Sequence, residues 1–427
     1  MLTNPGSQKN RSAPRFLRTV RNWRDVTLEL MSDRPSVVGD PLKQLSDADW
    51  LKIEKTARLH RLEPLFHVNG GGSGLAAHAP DRLKRRWAIA FLQSKRRSMI
   101  LAREIAAVDA TMRQMGVGYA FLKGPQLGWS CYPEPALRPM RDLDILVTAE
   151  DTTRVQNALL ARGYTYSDSG QPPTDTSPRK HLPSITSPGG DVSLEVHGSV
   201  VSLIFYVAHE ALDTRQLLER AVLFDIDGQV YPALAPTDAL LHFVVHCAHE
   251  HFFGSGPLVL SDIAYLVRGH EIDWPSFWQR AERAGATDAA AALLSLTKSI
   301  FDCEIILRAD APDVGSQIID SVKRGLLKDW TELYASLIVG ELTELSSITS
   351  LWAMACRRFR GYGSAPVMNR LGVKQVDARG RLSRAFSVVR VLATLAYHAS
   401  RQVRTDIKLR RLVASHAQHR VDQTPFA

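Results

Sequence analysis

Phe121-Leu122-Lys123-Gly124-Pro125, followed after a polar interval by Arg138-Pro139-Met140-Arg141-Asp142-Leu143-Asp144-Ile145-Leu146-Val147, is the stretch on which the fold turns. Side chains two apart on a β-strand share a face, so Asp142 and Asp144 present their carboxylates together while Leu143, Ile145 and Val147 face the core. Two like charges that close call for a cation. Mg²⁺ suits them, because it takes hard oxygen ligands, commonly one or two carboxylates completed by water and substrate phosphates. An acidic pair alone also occurs at solvated strand ends, so the flanking residues carry weight. Tyr119 to Leu122 is an apolar strand-like run, Gly124 permits a close backbone approach, and Pro125 suits the first turn of a helix whose N–H groups would face a phosphate.

A hydrophobic strand, Lys123-Gly124, a short helix ending near Tyr132-Pro133, Arg138, and then Asp142-Leu143-Asp144-Ile145-Leu146-Val147 resemble the uncharacterised nucleotidyltransferase family of the polymerase-β-like superfamily. The resemblance spans roughly Leu45 to Cys303 and is specific around two motif segments. It implies a small mixed sheet flanked by helices, with Asp142 and Asp144 binding a Mg²⁺-nucleotide. More distant superfamily members carry Gly-Ser or Gly-Gly where this chain has Lys123-Gly124, which adds a cation where a small residue usually sits.

A third carboxylate is expected on a neighbouring strand. Ser187-Pro188-Gly189-Gly190-Asp191 is a turn signal between two alternating runs, His181 to Thr186 and Val192 to His197, and reads as a β-hairpin. Ser193, Glu195 and His197 fall on one face of its second strand. Leu194-Glu195-Val196-His197 resembles the family's acidic-x-His element, which gives Glu195 the third-carboxylate role and places His197 beside it; without the motif, Glu195 is an exposed strand glutamate. The resemblance thus implies Asp142, Asp144 and Glu195 as catalytic residues and metal ligands, with Glu195 as general base. Lys123, Gly124, Arg138, Arg141, His197, His246 and His249 are the expected nucleotide contacts. Arg138 matches the family motif; Arg141 is either a phosphate contact or a surface residue offsetting the aspartates.

Further along, Pro236-Thr237-Asp238 opens a helix in which Thr237 or Asp238 can cap. His242, His246 and His249 recur on one helical face, as a metal site or as lining of a groove between helices and sheet. Leu260-Ser261-Asp262-Ile263-Ala264 resembles part of a helical domain closing the nucleotide cleft, where Asp262 orders a histidine or sits on an exposed helix face. Asp273-Trp274-Pro275 reads as a cap and helix start.

The chain has 427 residues, 45% hydrophobic, with a formal charge of +9, and is too long for one ordinary core. Cys131, Cys247, Cys303 and Cys356 are widely separated and form no C-x-x-C pair, so neither a zinc ribbon nor a disulfide framework is indicated and a reducing cytoplasm fits best. No apolar run approaches the ~20 residues of a membrane span, and the N-terminus lacks a secretory apolar segment. The expected class is α+β, a small mixed β-sheet core between helical regions. Its parts are a disordered N-terminus (1–34), an N-terminal helical region (35–117), a nucleotidyltransferase core (118–200), a helical domain (201–312) and a basic helical C-terminal region (313–427).

In the N-terminal region Asp47 to Leu65 reads as helix, broken at Gly70 to Gly74. A longer helix follows from about Pro80 to Met115, with Trp87, Ile89, Leu92, Ile100, Leu101 and Ile105 as core candidates. Asp168 to Arg179 reads as a mobile loop near the site. From Arg357 onward basic residues outnumber acidic ones about fivefold, and Leu382 to Leu412 has helical apolar spacing between arginines. That region either packs on the core or meets an anionic membrane surface, RNA or an acidic partner.

The leading expectation is Mg²⁺-dependent (Mn²⁺ as substitute) transfer of a nucleoside monophosphate from an NTP, ATP first, to a hydroxyl of a small molecule, peptide natural product or protein, with pyrophosphate released. The resemblance suggests a peptide or glycan acceptor. An RNA acceptor and a non-catalytic nucleotide-binding or scaffold role are the alternatives. Asp144→Ala is expected to abolish transfer and leave the fold intact, on the premise that Asp144 faces solvent.

Overall fold

The computed structural model describes residues 22–34, 45–72, 74–167, 180–202, 211–304, 306, 311–329, 331–333, 335–336, 407, 409, 410 and 412. Among them the strands are β1 (Tyr119–Leu122), β2 (Asp142–Val147), β3 (Thr165–Tyr166), β4 (Ile185–Thr186), β5 (Ser193–His197), β6 (Val222–Ile226) and β7 (Gln229–Ala233). They form one mixed sheet in the order β3-β4-β5-β2-β1-β7-β6. β2 runs antiparallel to β1 and parallel to β5, with Asp144 opposite Leu122 on one side and Glu195 on the other. This α+β arrangement agrees with the expectation, and so does the hairpin: β4 and β5 pair antiparallel, and Ser187 N–H donates to Val192 O at 2.8 Å.

The helices are α1 (Trp23–Glu29), α2 (Asp47–His60), α3 (Glu63–Gly72), α4 (Asp81–Met115), α5 (Gly124–Ser130), α6 (Thr152–Leu160), α7 (Thr214–Glu219), α8 (Pro236–Val245), α9 (Leu258–Gly269), α10 (Trp274–Arg283), α11 (Thr287–Phe301) and α12 (Ser316–Leu326). A π-helical turn, His246–Glu250, continues α8. None of the described helices is long and apolar enough to cross a membrane.

Alternation along the strands splits the sheet between two cores. Phe121, Leu143, Ile145, Val147, Leu194 and Val196 pack with Leu101, Ile105, Val108 and Met112 of α4 and with Val155 and Leu159 of α6. Each such fully buried side chain stabilises the fold by about 1.5–3 kcal/mol. Ala120, Leu122 and Leu146 join the larger core of helices α1–α3 and α8–α12 on the opposite face. Asp142, Asp144, Glu195 and His197 share that second face, so the charged cluster lies between the sheet and the helical body.

Several expectations need correction. The N-terminal segment is not disordered through Arg34, because α1 is capped by the Asn22 side chain and buries Val26 and Leu28, with Leu30 and Met31 buried just beyond it. The run from Asp47 is interrupted at Arg61, whose φ of 60° ends α2, and α3 then continues through Gly70. In α4, Trp87, Leu101 and Ile105 are buried, but Ile89 and Leu92 are 56% and 62% exposed. They lie off the stripe that faces the sheet. The sheet also does not stop at residue 200: β6 and β7, joined by Asp227-Gly228, add β7 alongside β1. Neither Thr237 nor Asp238 caps α8, since Ala235 occupies that position and Asp238 is buried between Arg220 and Arg280. Asp273 does cap α10, accepting from Ser276 N–H. Residues 168–179 lie outside the described residues, as does most of the basic C-terminal region.

Candidate active site

The chain leaves β1 through Lys123, whose φ of 52° and ψ of −98° are conformationally costly for a residue with a side chain. That backbone turns into α5 and carries the Lys123 Nζ to 2.9 Å from Asp144 Oδ2. Gly124 follows at a close approach: a Cβ there would lie 2.8 Å from Met140 Cγ and Sδ and 3.0 Å from Arg138 Nη1, so the Met140 side chain would have to move. α5 has only 7 residues, a short dipole, so gripping an anion falls to side chains.

Asp144 is 5% exposed and not solvent-facing as expected. Burial acts to raise its pKa, but the Lys123 ammonium and His197 outweigh it and hold the carboxyl well below the usual range. Asp142 is shifted the other way, upward, by burial and by the Asp144 charge next to it. His197 Nε2 lies 3.3 Å from Glu195 Oε2 and 3.6 Å from Asp144 Oδ1, bridging the carboxylates of neighbouring strands. Burial works against a charged imidazole there, yet the two carboxylates raise the His197 pKa. Burial likewise pushes Glu195 up, and hydrogen bonding to His197 together with the nearby His181 brings it below its ordinary value. His181 Nε2 stands 3.6 Å from Glu195 Oε2.

Opposite these groups lies a cavity of about 170 Å³, with room for about six waters at liquid density. Its lining includes Arg61, Lys123, Gly124, Arg138, Arg141, Asp142, Asp144 and His246. Arg138 is locked in place by Asp262, donating from Nε at 2.9 Å and from Nη2 at 3.0 Å, while Tyr132 Oη donates to the same carboxylate at 2.7 Å. Asp262 therefore orders an arginine and not a histidine. Arg141 stands exposed at the cavity mouth.

The histidines separate. His246 lines the cavity and its Nδ1 meets Glu250 Oε2 at 2.8 Å; Lys180 also pairs with Glu250, whose Oε1 accepts from Ser202 N–H at 3.0 Å. His249 lies off this cavity and bonds the backbone of Gly285. The π turn is the reason, since its wider i→i+5 winding rotates His249 away from the face an α-helix would give it. His242 is fully buried, and burial with the Lys123 charge keeps it neutral. His242 and His246 stay side by side, ring centroids 5.8 Å apart, but His249 leaves the expected face; among the described residues ligand atoms converge at His246, Glu250 and His251, and again at Asp144, Glu195 and His197.

The model of the uncharacterised nucleotidyltransferases matches residues 46–302, more than half of the chain. This chain belongs to that family. No curated protein matches it in sequence. The sheet face bearing Asp142, Asp144 and Glu195 also carries a donor set whose chemistry fits a divalent cation. Asp144 Oδ1 is buried without a hydrogen bond, and Asp144, Glu195 and His197 offer ligand atoms within 4.8 Å of one another. Carboxylate oxygens suit Mg²⁺ or Mn²⁺ better than the imidazole does, and His197 stands against both carboxylates.

The sequence reading missed Arg61, Lys180, Glu250 and the role of Asp262 in this family member. Arg61 and Asp262 reach the site from helices well before and after the sheet, and only the packed structure brings them together. Glu250 follows His246 by four residues, a spacing that could have suggested their pairing.

Proposed function

We propose that this protein is a divalent-metal-dependent nucleotidyltransferase that moves a nucleoside monophosphate from an NTP, ATP first, to a hydroxyl acceptor and releases pyrophosphate. The observation that carries the reading is the parallel register of Asp144 with Glu195, which sets Asp142, Asp144 and Glu195 on one sheet face beside a cavity lined by arginines. Asp142, Asp144 and Glu195 would hold Mg²⁺ or Mn²⁺. Such an ion, when bound, lowers the pKa of an attacking hydroxyl and offsets charge on the leaving phosphates.

The side chains divide the remaining work. Glu195 accepts the acceptor's proton at a carboxylate oxygen, and His181 and His197 keep it ionised for that purpose. Lys123 and Arg138 supply fixed positive charge along the phosphates. Arg138 is pre-aimed by Asp262, so little side-chain entropy is lost on binding. Arg141, exposed at the mouth, adds a mobile cation. Small molecules, peptides and proteins are the acceptor classes that fit this reading.

The test is incubation with Mg²⁺ and each α-labelled NTP, with and without host lysate, following label into small-molecule, protein and RNA fractions. Label lost in Asp142→Ala supports transfer and identifies the acceptor class. Label in RNA alone selects the RNA-directed alternative; nucleotide binding with no label in any fraction, even with Mn²⁺, overturns transfer in favour of a binding or scaffold role.

A further inference from the structure

The cavity holds more positive charge than its carboxylates offset. Of its basic lining residues, Lys123 pairs with Asp144 and Arg138 pairs with Asp262. Arg61 has no such match. It ends α2 in the left-handed conformation at φ 60°, its backbone N–H closing on Ala57 O. The side chain's one hydrogen bond among the described residues runs from Nη1 to Pro139 O at 3.2 Å. Its Nε is buried and has no partner among the described residues.

Holding the Nε of a guanidinium buried and unpaired is an expensive arrangement unless an anion completes it. Burial, together with the neighbouring Arg141 and Arg138, depresses its pKa to about 10, outweighing the pull of Asp142 and Asp262. Asp142, the nearby carboxylate not already paired, belongs to the metal-binding group and cannot serve both roles. The electrostatics of this corner are those of a receptor for an anion with several negative charges in a row.

We propose that Arg61, supplied from the helical segment ahead of the sheet, is a polyphosphate-binding residue of this cavity, and that its ligand is the charged tail of a nucleoside triphosphate. The identity of the ligand rests on the transferase reading; the anion site itself does not. Arg61 offers a planar fork of donors, of which only one end is committed to Pro139. Its position ties the N-terminal helices to substrate binding, so α2 is part of the site and not merely packing beside it.

The experiment is calorimetric titration of the full chain with sodium tripolyphosphate, and separately with ATP and Mg²⁺, for wild type, Arg61→Met and Arg61→Lys. Arg61→Met should weaken both ligands about ten- to a hundredfold, the loss of a charge-assisted contact. Arg61→Lys should restore part of the affinity, because it keeps the charge and loses the fork. The melting temperature of Arg61→Met should match or exceed that of wild type, which separates lost binding from lost folding. Equal tripolyphosphate affinity in wild type and Arg61→Met overturns the proposal even where ATP transfer persists. Arg61-dependent tripolyphosphate binding without any ATP binding supports the anion site and removes the nucleotide as its ligand.

Discussion

Lys123 Nζ lies 2.9 Å from Asp144 Oδ2, so the buried carboxylate at the centre of the site already has a cation supplied by the protein. The lysine follows β1 directly and the aspartate lies on the adjacent β2, which makes the pair a clasp between two strands. Removing the lysine leaves Asp144 beside Asp142 and Glu195 with a much weaker counter-charge. Lys123→Met should therefore destabilise the metal-free protein by about 3 kcal/mol, the usual cost of breaking a buried pair from one side. Millimolar Mg²⁺ should recover a larger share of melting temperature in Lys123→Met than in wild type. Equal melting temperatures without metal would show that the pair contributes nothing to stability.

Burial of Asp144 changes which substitution tests it cleanly. Asp144→Ala strands the Lys123 ammonium in a site where it is only 21% exposed, so lost activity would be confounded with lost stability. Asp144→Asn keeps the volume and removes the charge. It should abolish measurable transfer, and Glu195→Gln should lower the rate about 10²–10⁴-fold, the range for losing a general base. Labelled-nucleotide turnover, alongside thermal melting, checks both. Wild-type rates in Asp144→Asn would remove the metal centre from the mechanism.

Asp262 holds Arg138 by two hydrogen bonds, both partners being almost completely buried. Asp262→Asn should raise the KM for NTP about tenfold with a smaller effect on kcat, because a misplaced guanidinium weakens phosphate binding before chemistry. The single variant should also lose about 3 kcal/mol of stability, and the double variant Asp262→Asn/Arg138→Met should lose less than the losses of Asp262→Asn and Arg138→Met added together. Strict additivity in a urea-unfolding cycle would deny the coupling.

How much of this site could be read from the chain depends on distance along it. Asp142, Asp144 and Lys123 lie within 22 residues, and strand periodicity alone puts the two aspartates together. Glu195 and His197 were legible because a turn signal fixes the hairpin, and the hairpin fixes the face. Asp227-Gly228 carries an equally good turn signal, and β6 and β7 on either side of it fall inside the stretch expected to be a helical domain. The histidine face failed because α-helical spacing was assumed across a π turn, which no residue between His246 and Glu250 announces. Arg61 was invisible for a different reason: a left-handed residue inside an apparently continuous helical run leaves no composition signal when it is not glycine.

His60, next to Arg61, makes a pH-dependent contribution to stability. Its Nε2 is 2.9 Å from Lys328 O, and burial pushes the imidazole down to about 4 from an ordinary 6.5. The unfolded chain takes up this proton as pH falls below about 6.5, whereas the native chain does not until about 4. The contribution is therefore complete above the unfolded value and declines as pH drops towards the native one, by about 3 kcal/mol in all. Neutral His60 also spares Arg61 another like charge at close range. His60→Gln keeps a donor for Lys328 O and cannot titrate, so its urea-unfolding free energy should fall less steeply than that of wild type between pH 6.5 and pH 4, with the two running parallel above pH 7. Parallel curves throughout the acid range would mean that the native imidazole takes up its proton at the same pH as the unfolded one, and the bond to Lys328 O would then have to offset the cost of burying the charge.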